Sequence, residues 1–296
     1  MTFLINNFDM NKLIELNNQG VTHFLNQRFK EAEDSYNQVL EMDAHNATAL
    51  NNLGLLYHQQ KHYDNAEKSF EEAIEANPRP SYFLNLANVQ VFLKKWATAE
   101  KNYIKACELD PKNVKARISL ARFYEAQRLF SKAADVWFSL IMQTNETEYK
   151  INLAGNKMAM GQFEEALAIL SNLTDQKDAA VVYLQIGVCE LNLRNYGLAL
   201  LAFRNSLGLS PDNLATRHYL AVTLLSAGEY EKALDEFDFL LKMEPESIKF
   251  RLDKASVLLA LQRTGEAKEL IDQVLQRDPG NKKADKYLTL INGEEK

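Results

Sequence analysis

The side chains with the clearest chemical pattern in this 296-residue sequence are carboxamides. Asn18, Asn52, Asn85, Asn152 and Gln185 are separated by 34, 33, 67 and 33 residues. Each carboxamide carries two N–H donors and an acceptor, which matches the N–H and C=O of an extended peptide. Asparagine is a poor residue for a helix interior because its side chain competes for backbone groups, so its return at a fixed spacing requires a reason. One reading is an amide ladder for a bound chain. The other is that each amide bonds a neighbouring helix or is simply tolerated. Asn88, Lys115 and Arg122 stand at other positions of the same repeating units and add an amide and a small basic spot to an otherwise acidic chain. Such a spot suits an acidic side chain or a free carboxylate.

Other reactive residue types give no constellation. The sequence has no glycine-rich phosphate loop, HExxH, CxxC or GxSxG. His58 and His62 stand four apart, but His62 precedes Tyr63 in a turn, so they read as solvated residues and not as metal ligands. Glu71–Glu72 and Glu164–Glu165 read as outer-face charge, and Cys107 and Cys189 as small core residues. The expectation is a protein without catalytic residues, metal or cofactor.

Composition narrows the class. Apolar residues make up 46% and charged residues 25%, which describes a globular chain. A net charge of −6 disfavours a nucleic-acid partner. No run approaches the roughly 18 apolar residues of a membrane span. The first residues, MTFLINNFDMNK, lack the basic start and apolar run of a signal peptide. A cytoplasmic, mostly helical protein is expected, since 11 glycines and 6 prolines are too few for a turn-rich β protein.

The elements that must position the carboxamides are set by a period. Alanine stands at 32, 66, 99, 133, 166, 199, 233 and 267, and prolines 78, 111, 211, 245 and 279 keep the same spacing. With that alanine as position 20, repeats start at Leu13, Ala47, Pro80, Val114, Thr147, Ala180, Leu214 and Ile248. Position 8 is always Gly or Ala, and position 24 is always bulky. Position 17 is aromatic except at Thr264. Apolar residues at 7, 8 and 11, then at 20, 24 and 27, mark two amphipathic helices per repeat. Small residues at 8 and 20 let the helix axes approach, and the large one at 24 fills the space beside them. A lone helix pair buries too little surface, so neighbouring pairs must stack.

These residues resemble the tetratricopeptide repeat (TPR) superfamily, most closely in NNLGLLY followed by YDNAEKSFEEAIEANP. The resemblance implies an all-α, right-handed α-solenoid superhelix of helix-turn-helix units. The expected organisation is an N-terminal segment 1–12, eight repeats over 13–281, and a C-terminal capping helix and tail over 282–296, whose Ala284, Tyr287, Leu288 and Ile291 recur at helical spacing. Repeats four and five lack the proline, carrying Asn145 and Asp178 instead, so the middle joints are expected to pack less regularly.

The resemblance also places the first helix of each repeat on the concave side. The carboxamides, at position 6, would then line the groove with Asn88, Lys115 and Arg122, in a row similar to the asparagine ladder of the O-linked N-acetylglucosamine transferase superhelix. The clamp that holds Hsp90-type or Hsp70-type chaperone tails fits poorly, since its best window offers Asn51, Leu55, Asn85, Lys115 and Ser119 and matches at two of five positions. The leading expectation is a non-catalytic scaffold or adaptor that binds a protein or peptide in the groove. Two others stay open. One is a regulatory sensor closed by a small ligand or by its own apolar terminus (Phe3, Leu4, Ile5, Phe8). The other is an accessory subunit of an enzyme complex that works through its outer face.

Overall fold

Small residues at two fixed places dictate how the helices pair. In the computed structural model, which describes residues 2–175 and 177–294, helices alternate with short turns and no strand occurs among the described residues. The chain forms two compact units, divided between Gln143 and Thr144. The first holds α1 (Thr2–Leu25), α2 (Phe29–Met42), α3 (Ala47–Gln59), α4 (Tyr63–Ala76), α5 (Pro80–Phe92), α6 (Trp96–Leu109), α7 (Val114–Ala126) and α8 (Phe130–Thr144), whose last residue crosses the division. The second holds α9 (Thr147–Ala159), α10 (Phe163–Leu170) with a 3₁₀ turn at Ser171–Leu173, α11 (Ala179–Asn192), α12 (Tyr196–Leu209), α13 (Leu214–Ser226), α14 (Tyr230–Met243), α15 (Ile248–Ala260), α16 (Thr264–Arg277) and α17 (Lys282–Glu294). Each unit is a stack of antiparallel helix pairs, an all-α solenoid. The backbone helix of α1 starts at Thr2, well ahead of Leu13.

All eight alanines at position 20 are completely buried, from Ala32 to Ala267. Facing them, the position 8 glycines lie under aromatic rings. A Cβ on Gly54 would stand 2.6 Å from the Phe70 ring, one on Gly20 2.4 Å from Tyr36, and one on Gly187 2.4 Å from Phe203. These pairs bring the two helices of a repeat together, and Phe70, Tyr36 and Phe203 are fully buried as a result.

The turn inside every repeat has one geometry. Gln27, Lys61, Lys94, Arg128, Gly161, Arg194, Gly228 and Gln262 all have positive φ, and all fall at position 15. The next residue donates back five positions, as in His62 N to Tyr57 O at 2.9 Å and Glu229 N to Leu224 O at 2.9 Å. That is the Schellman stop, which satisfies the last carbonyls of a helix. Six of the eight residues lack glycine's freedom there and bear the steric cost of the left-handed region.

The starts of the first helices are capped by side chains. Asn46, Asn113 and Asn213 accept from the backbone N–H groups of Ala49, Ala116 and Thr216 at 3.0–3.1 Å, and Ser247 accepts from Phe250 N. Arg79, Glu146 and Asp178, which precede α5, α9 and α11, make no such cap, and the last two lie at the ends of the two repeats without proline. At the C-terminal end, Ala284 and Ile291 of α17 close the apolar core of the second unit.

Candidate functional site

The eight singled-out residues divide between the two units. Asn18, Asn52, Asn85, Asn88, Lys115 and Arg122 lie in the first, on α1, α3, α5 and α7; Asn152 and Gln185 lie in the second, on α9 and α11. Asn18, Lys115 and Arg122 are exposed, and the other five are half-buried.

The amides of the first unit are partly engaged within the fold. Asn85 Nδ2 donates to Asn51 Oδ1 at 2.9 Å, so a position 6 amide on α5 is tied to a position 5 amide on α3. Tyr103 Oη donates to Asn88 Oδ1 at 2.7 Å. The pattern of a free ladder therefore gives way to a shared one: Asn85 and Asn88 each give one hydrogen-bonding group to a neighbour and keep the rest. Asn52 Oδ1 receives only a long contact of 3.5 Å from Asn51. Asn18 lies on the exposed face of α1 beside a shallow recess lined by Asn11, Ile14, Thr22 and His23. Nothing among the described side chains reports on Phe3, Leu4, Ile5 and Phe8, which fall outside them.

Two hollows open where these amides meet. A cavity of about 590 Å³ between α5, α6 and α7 is lined by Asn88, Val91, Trp96, Tyr103, Ser119 and Arg122, with Phe123 at its floor. A smaller recess of about 80 Å³ is lined by Leu55, His58, Phe70, Asn85 and Asn88. Asn88 belongs to both. The larger hollow has an aromatic wall, an amide and a guanidinium, which is the make-up of a side-chain pocket: apolar surface with few polar groups to fix orientation. Trp96 is 40% exposed at its edge. Tyr103, inside, has its hydroxyl pushed up to about 12 by burial, so it stays a neutral donor.

In the second unit the equivalent surface is different. Gln185 Nε2 lies near Gly155, while Gln185 Oε1 is enclosed and meets no donor among the described residues. Asn152 carries Asn156 on its backbone carbonyl at 2.9 Å. Further along, His218 Nε2 lies 2.8 Å from Asp253 Oδ2, and Lys283 donates to Asp253 Oδ1 at 2.7 Å. Burial works to raise the Asp253 carboxyl, but the hydrogen bonds from His218 and Lys283 outweigh it and hold the group below its ordinary value.

His58 packs edge-on against Phe92 at 5.3 Å and beside Tyr63 at 5.8 Å, and burial lowers its pKa. No group of three or more His, Cys, Asp or Glu suited to a metal occurs among the described residues. Burial pushes the Cys189 thiol up to about 12, which leaves it unreactive as a thiolate. No described helix is long and apolar enough to cross a membrane.

Family models described as tetratricopeptide repeat match residues 13–79, 84–141 and 224–290. The chain is a tetratricopeptide repeat protein. It is similar to the TPR repeat-containing protein MJ1428 of Methanocaldococcus jannaschii, with 22% identity over 92% of this chain and 47% of that protein. Among solved structures it resembles a chain of the APC/C hetero-tetramer Cut9–Hcn1, with 18% identity, a TM-score of 0.57, and coverage of 93% of this chain and 55% of that one. It also resembles the C-terminal part of a TPR repeat-containing protein from Cytophaga hutchinsonii, with 15% identity, a TM-score of 0.57, and coverage of 91% and 98%. The chain thus spans about half the length of MJ1428 and of the Cut9–Hcn1 chain. TPR arrays in general are protein-interaction scaffolds, and that is the general class of this chain.

Within the TPR frame, sequence reasoning passed over Asn51, Trp96 and Tyr103. Asn51 could have been found, because position 5 is Leu or Ile in five repeats and breaks to Asn17, Asn51 and His218 in the other three. Trp96 and Tyr103 stand in columns that are bulky in nearly every repeat, so nothing in their type separates a cavity wall from a core residue.

Proposed function

We propose that this TPR protein is an adaptor that binds an extended segment of a partner protein across the first-helix face of its first unit. The bound segment is anchored by one side chain in the hollow between α5, α6 and α7. The observation that carries the reading is the cavity of about 590 Å³ in which Asn88 and Arg122 meet an aromatic wall. Arg122, with Lys115 two turns earlier on α7, favours an acidic anchor or a C-terminal carboxylate. The remaining hydrogen-bonding capacity of Asn52, Asn85 and Asn88 faces the peptide backbone. Each amide–backbone pair contributes about 0.5–1.5 kcal/mol, whereas association costs an estimated 4–15 kcal/mol, so the anchor in the cavity must supply most of the affinity. That Cut9 is found assembled with Hcn1 in a hetero-tetramer is in keeping with a partner-binding role for this architecture.

Peptides selected from a displayed random 12-residue library on the full chain test the reading by titration calorimetry. Binders with a carboxylate at one position are expected to lose at least tenfold in affinity with Arg122→Ala and with Trp96→Ala. Selected peptides that bind the Asn88→Ala/Arg122→Ala variant as tightly as the native chain would exclude this face.

A further inference from the structure

The hollow between α5, α6 and α7 has a counterpart one repeat earlier. The small recess at Leu55 is lined from positions 9, 12 and 24 of repeat two and from positions 6 and 9 of repeat three. Moved on by one repeat, those five positions are Asn88, Val91, Tyr103, Ser119 and Arg122, and all five line the large hollow. One site is thus built twice, at about 80 Å³ and at about 590 Å³.

What separates the two copies is a ring. In the earlier one Phe92, at position 13 of repeat three, stacks on Tyr63 with centroids 4.8 Å apart and planes 6° from parallel. The same ring meets His58, one of the lining residues, at 5.3 Å. One repeat on, Trp96 stands for Tyr63, Val91 for His58 and Ala126 for Phe92. All three line the large hollow, so Trp96, 40% exposed, shares it with a methyl group where Tyr63 has a ring. Phe92 stays 55% exposed while stacked. The place it fills therefore lies at the mouth of the site, where a side chain can arrive from outside.

We infer that the large hollow takes an aromatic side chain of the partner segment, laid on Trp96 as Phe92 is laid on Tyr63. The inference rests on the reading of this face as the partner-binding one and adds the chemistry of the anchor. The chain itself supplies the precedent for a ring at this position. Tyr103 and Phe123 extend the aromatic wall, and offset-stacked rings gain more than the area they bury. A leucine would fill the space without that gain. An arginine also lies flat on an indole, but the Arg122 guanidinium in the same hollow repels a second cation. The carboxylate that Arg122 favours is then carried beside the ring and not on the anchoring side chain itself.

Sequences selected on the full chain from a displayed random 12-residue library, remade as synthetic peptides for titration calorimetry, test this. Binders that are lost on Asn88→Ala/Arg122→Ala are expected to share a Phe, Tyr or Trp at one position. Replacing that residue by Leu should weaken binding to the native chain at least threefold. Ala126→Phe supplies the missing ring from within the chain, so it should weaken the aromatic peptide at least tenfold and move Trp96 emission to shorter wavelength. Its melting temperature should stay level or rise, because residue 126 is exposed. Face-dependent binders with no shared aromatic residue overturn the inference and leave the reading of the face intact, as does a leucine peptide that binds as tightly as its parent. Undiminished binding to Ala126→Phe overturns it too. Binders indifferent to Asn88→Ala/Arg122→Ala defeat the reading of the face, and the inference with it.

Discussion

Neighbouring repeats are tied together differently in the two units. In the first, position 11 of one repeat reaches back to position 21 of the repeat before it through polar groups. Tyr57 donates to Glu33 at 2.7 Å, Gln90 to Glu67 at 3.2 Å, and Tyr124 to Glu100 at 3.0 Å. In the later part of the second unit the same positions hold Leu224 after Leu200 and Leu258 after Leu234, all buried in one core that runs from Ala199 to Ile291. At the joint before them Glu190 follows Leu167, and there the cluster around Leu170 and Val182 is separate. In the first unit the cluster around Tyr36 is separate from the one around Phe70. The tie between positions 5 and 6 shows the same division: Asn51 to Asn85 is a neutral amide pair, and His218 to Asp253 is an ionisable one held by Lys283. One period thus accommodates two kinds of joint. The polar kind is directional and leaves amides at the surface, which is where the cavity at Asn88 opens; the apolar kind favours a continuous core.

The largest effect should come from breaking an apolar joint. Leu224 is 2% exposed and sits in the core of the second unit. Leu224→Ala is expected to destabilise that unit by about 2–5 kcal/mol, the lost transfer free energy plus the cavity left behind. Urea unfolding read by circular dichroism would register this as a lower midpoint. A loss under 1 kcal/mol would mean that the joint collapses around the gap and that the core is less continuous than it looks.

Next is a change common to both units. Gly54→Ala places a methyl 2.6 Å from the Phe70 ring, which is buried and cannot swing clear. About 1–3 kcal/mol of destabilisation is expected. The same substitution at Gly187, beneath Phe203, should match it. Equal costs would show that intra-repeat packing is shared and that only the joints differ.

These two cases also mark how far the sequence could be read. The small-residue column at position 8 and the bulky column at position 24 carried the helix pairing, because steric size at a fixed spacing admits few solutions. The hydrogen bonds between repeats were not legible in the same way. Whether an asparagine such as Asn85 is free or tied depends on what stands at position 5 of the preceding repeat, a contact across 34 residues that no local pattern reveals. The left-handed residue at position 15 was hidden for another reason. Only Gly161 and Gly228 advertise it, while Lys61, Arg128 and their counterparts adopt it because the Schellman hydrogen bonds outweigh the strain.

A polar joint should cost less to break. Tyr57→Phe removes the hydroxyl bonded to Glu33 and leaves the ring in place. Because Glu33 is half-exposed, water replaces the lost donor, and about 0.5–1.5 kcal/mol is expected from the midpoint of the same unfolding curve. The Tyr57 hydroxyl is pushed up to about 12, first by burial and then by Glu33, so the difference between native chain and variant should be constant from about pH 6 to 9. A difference that disappears on raising the pH within that window would mean that the hydroxyl ionises there and that the tie is weaker than its geometry implies.

The smallest effect should fade only in acid, and it separates the two versions of the 5–6 tie. Asp253 has its pKa held below the ordinary value by His218 and Lys283, against the opposing effect of burial. A carboxylate whose folded pKa is depressed adds stability that is fully present above its unfolded pKa and is lost as the pH falls through the folded value. Asp253→Asn cannot titrate, and its amide oxygen can still accept from Lys283. The gap in melting temperature between native chain and variant should therefore be widest at neutral pH and should close below about pH 4. Asn51→Ala, which breaks the neutral version of the tie, should show a gap with no such closure. Parallel melting curves for Asp253→Asn across the acid range would mean that the carboxylate is no better held in the folded chain than in the unfolded one, and the contrast between the two ties would reduce to geometry alone.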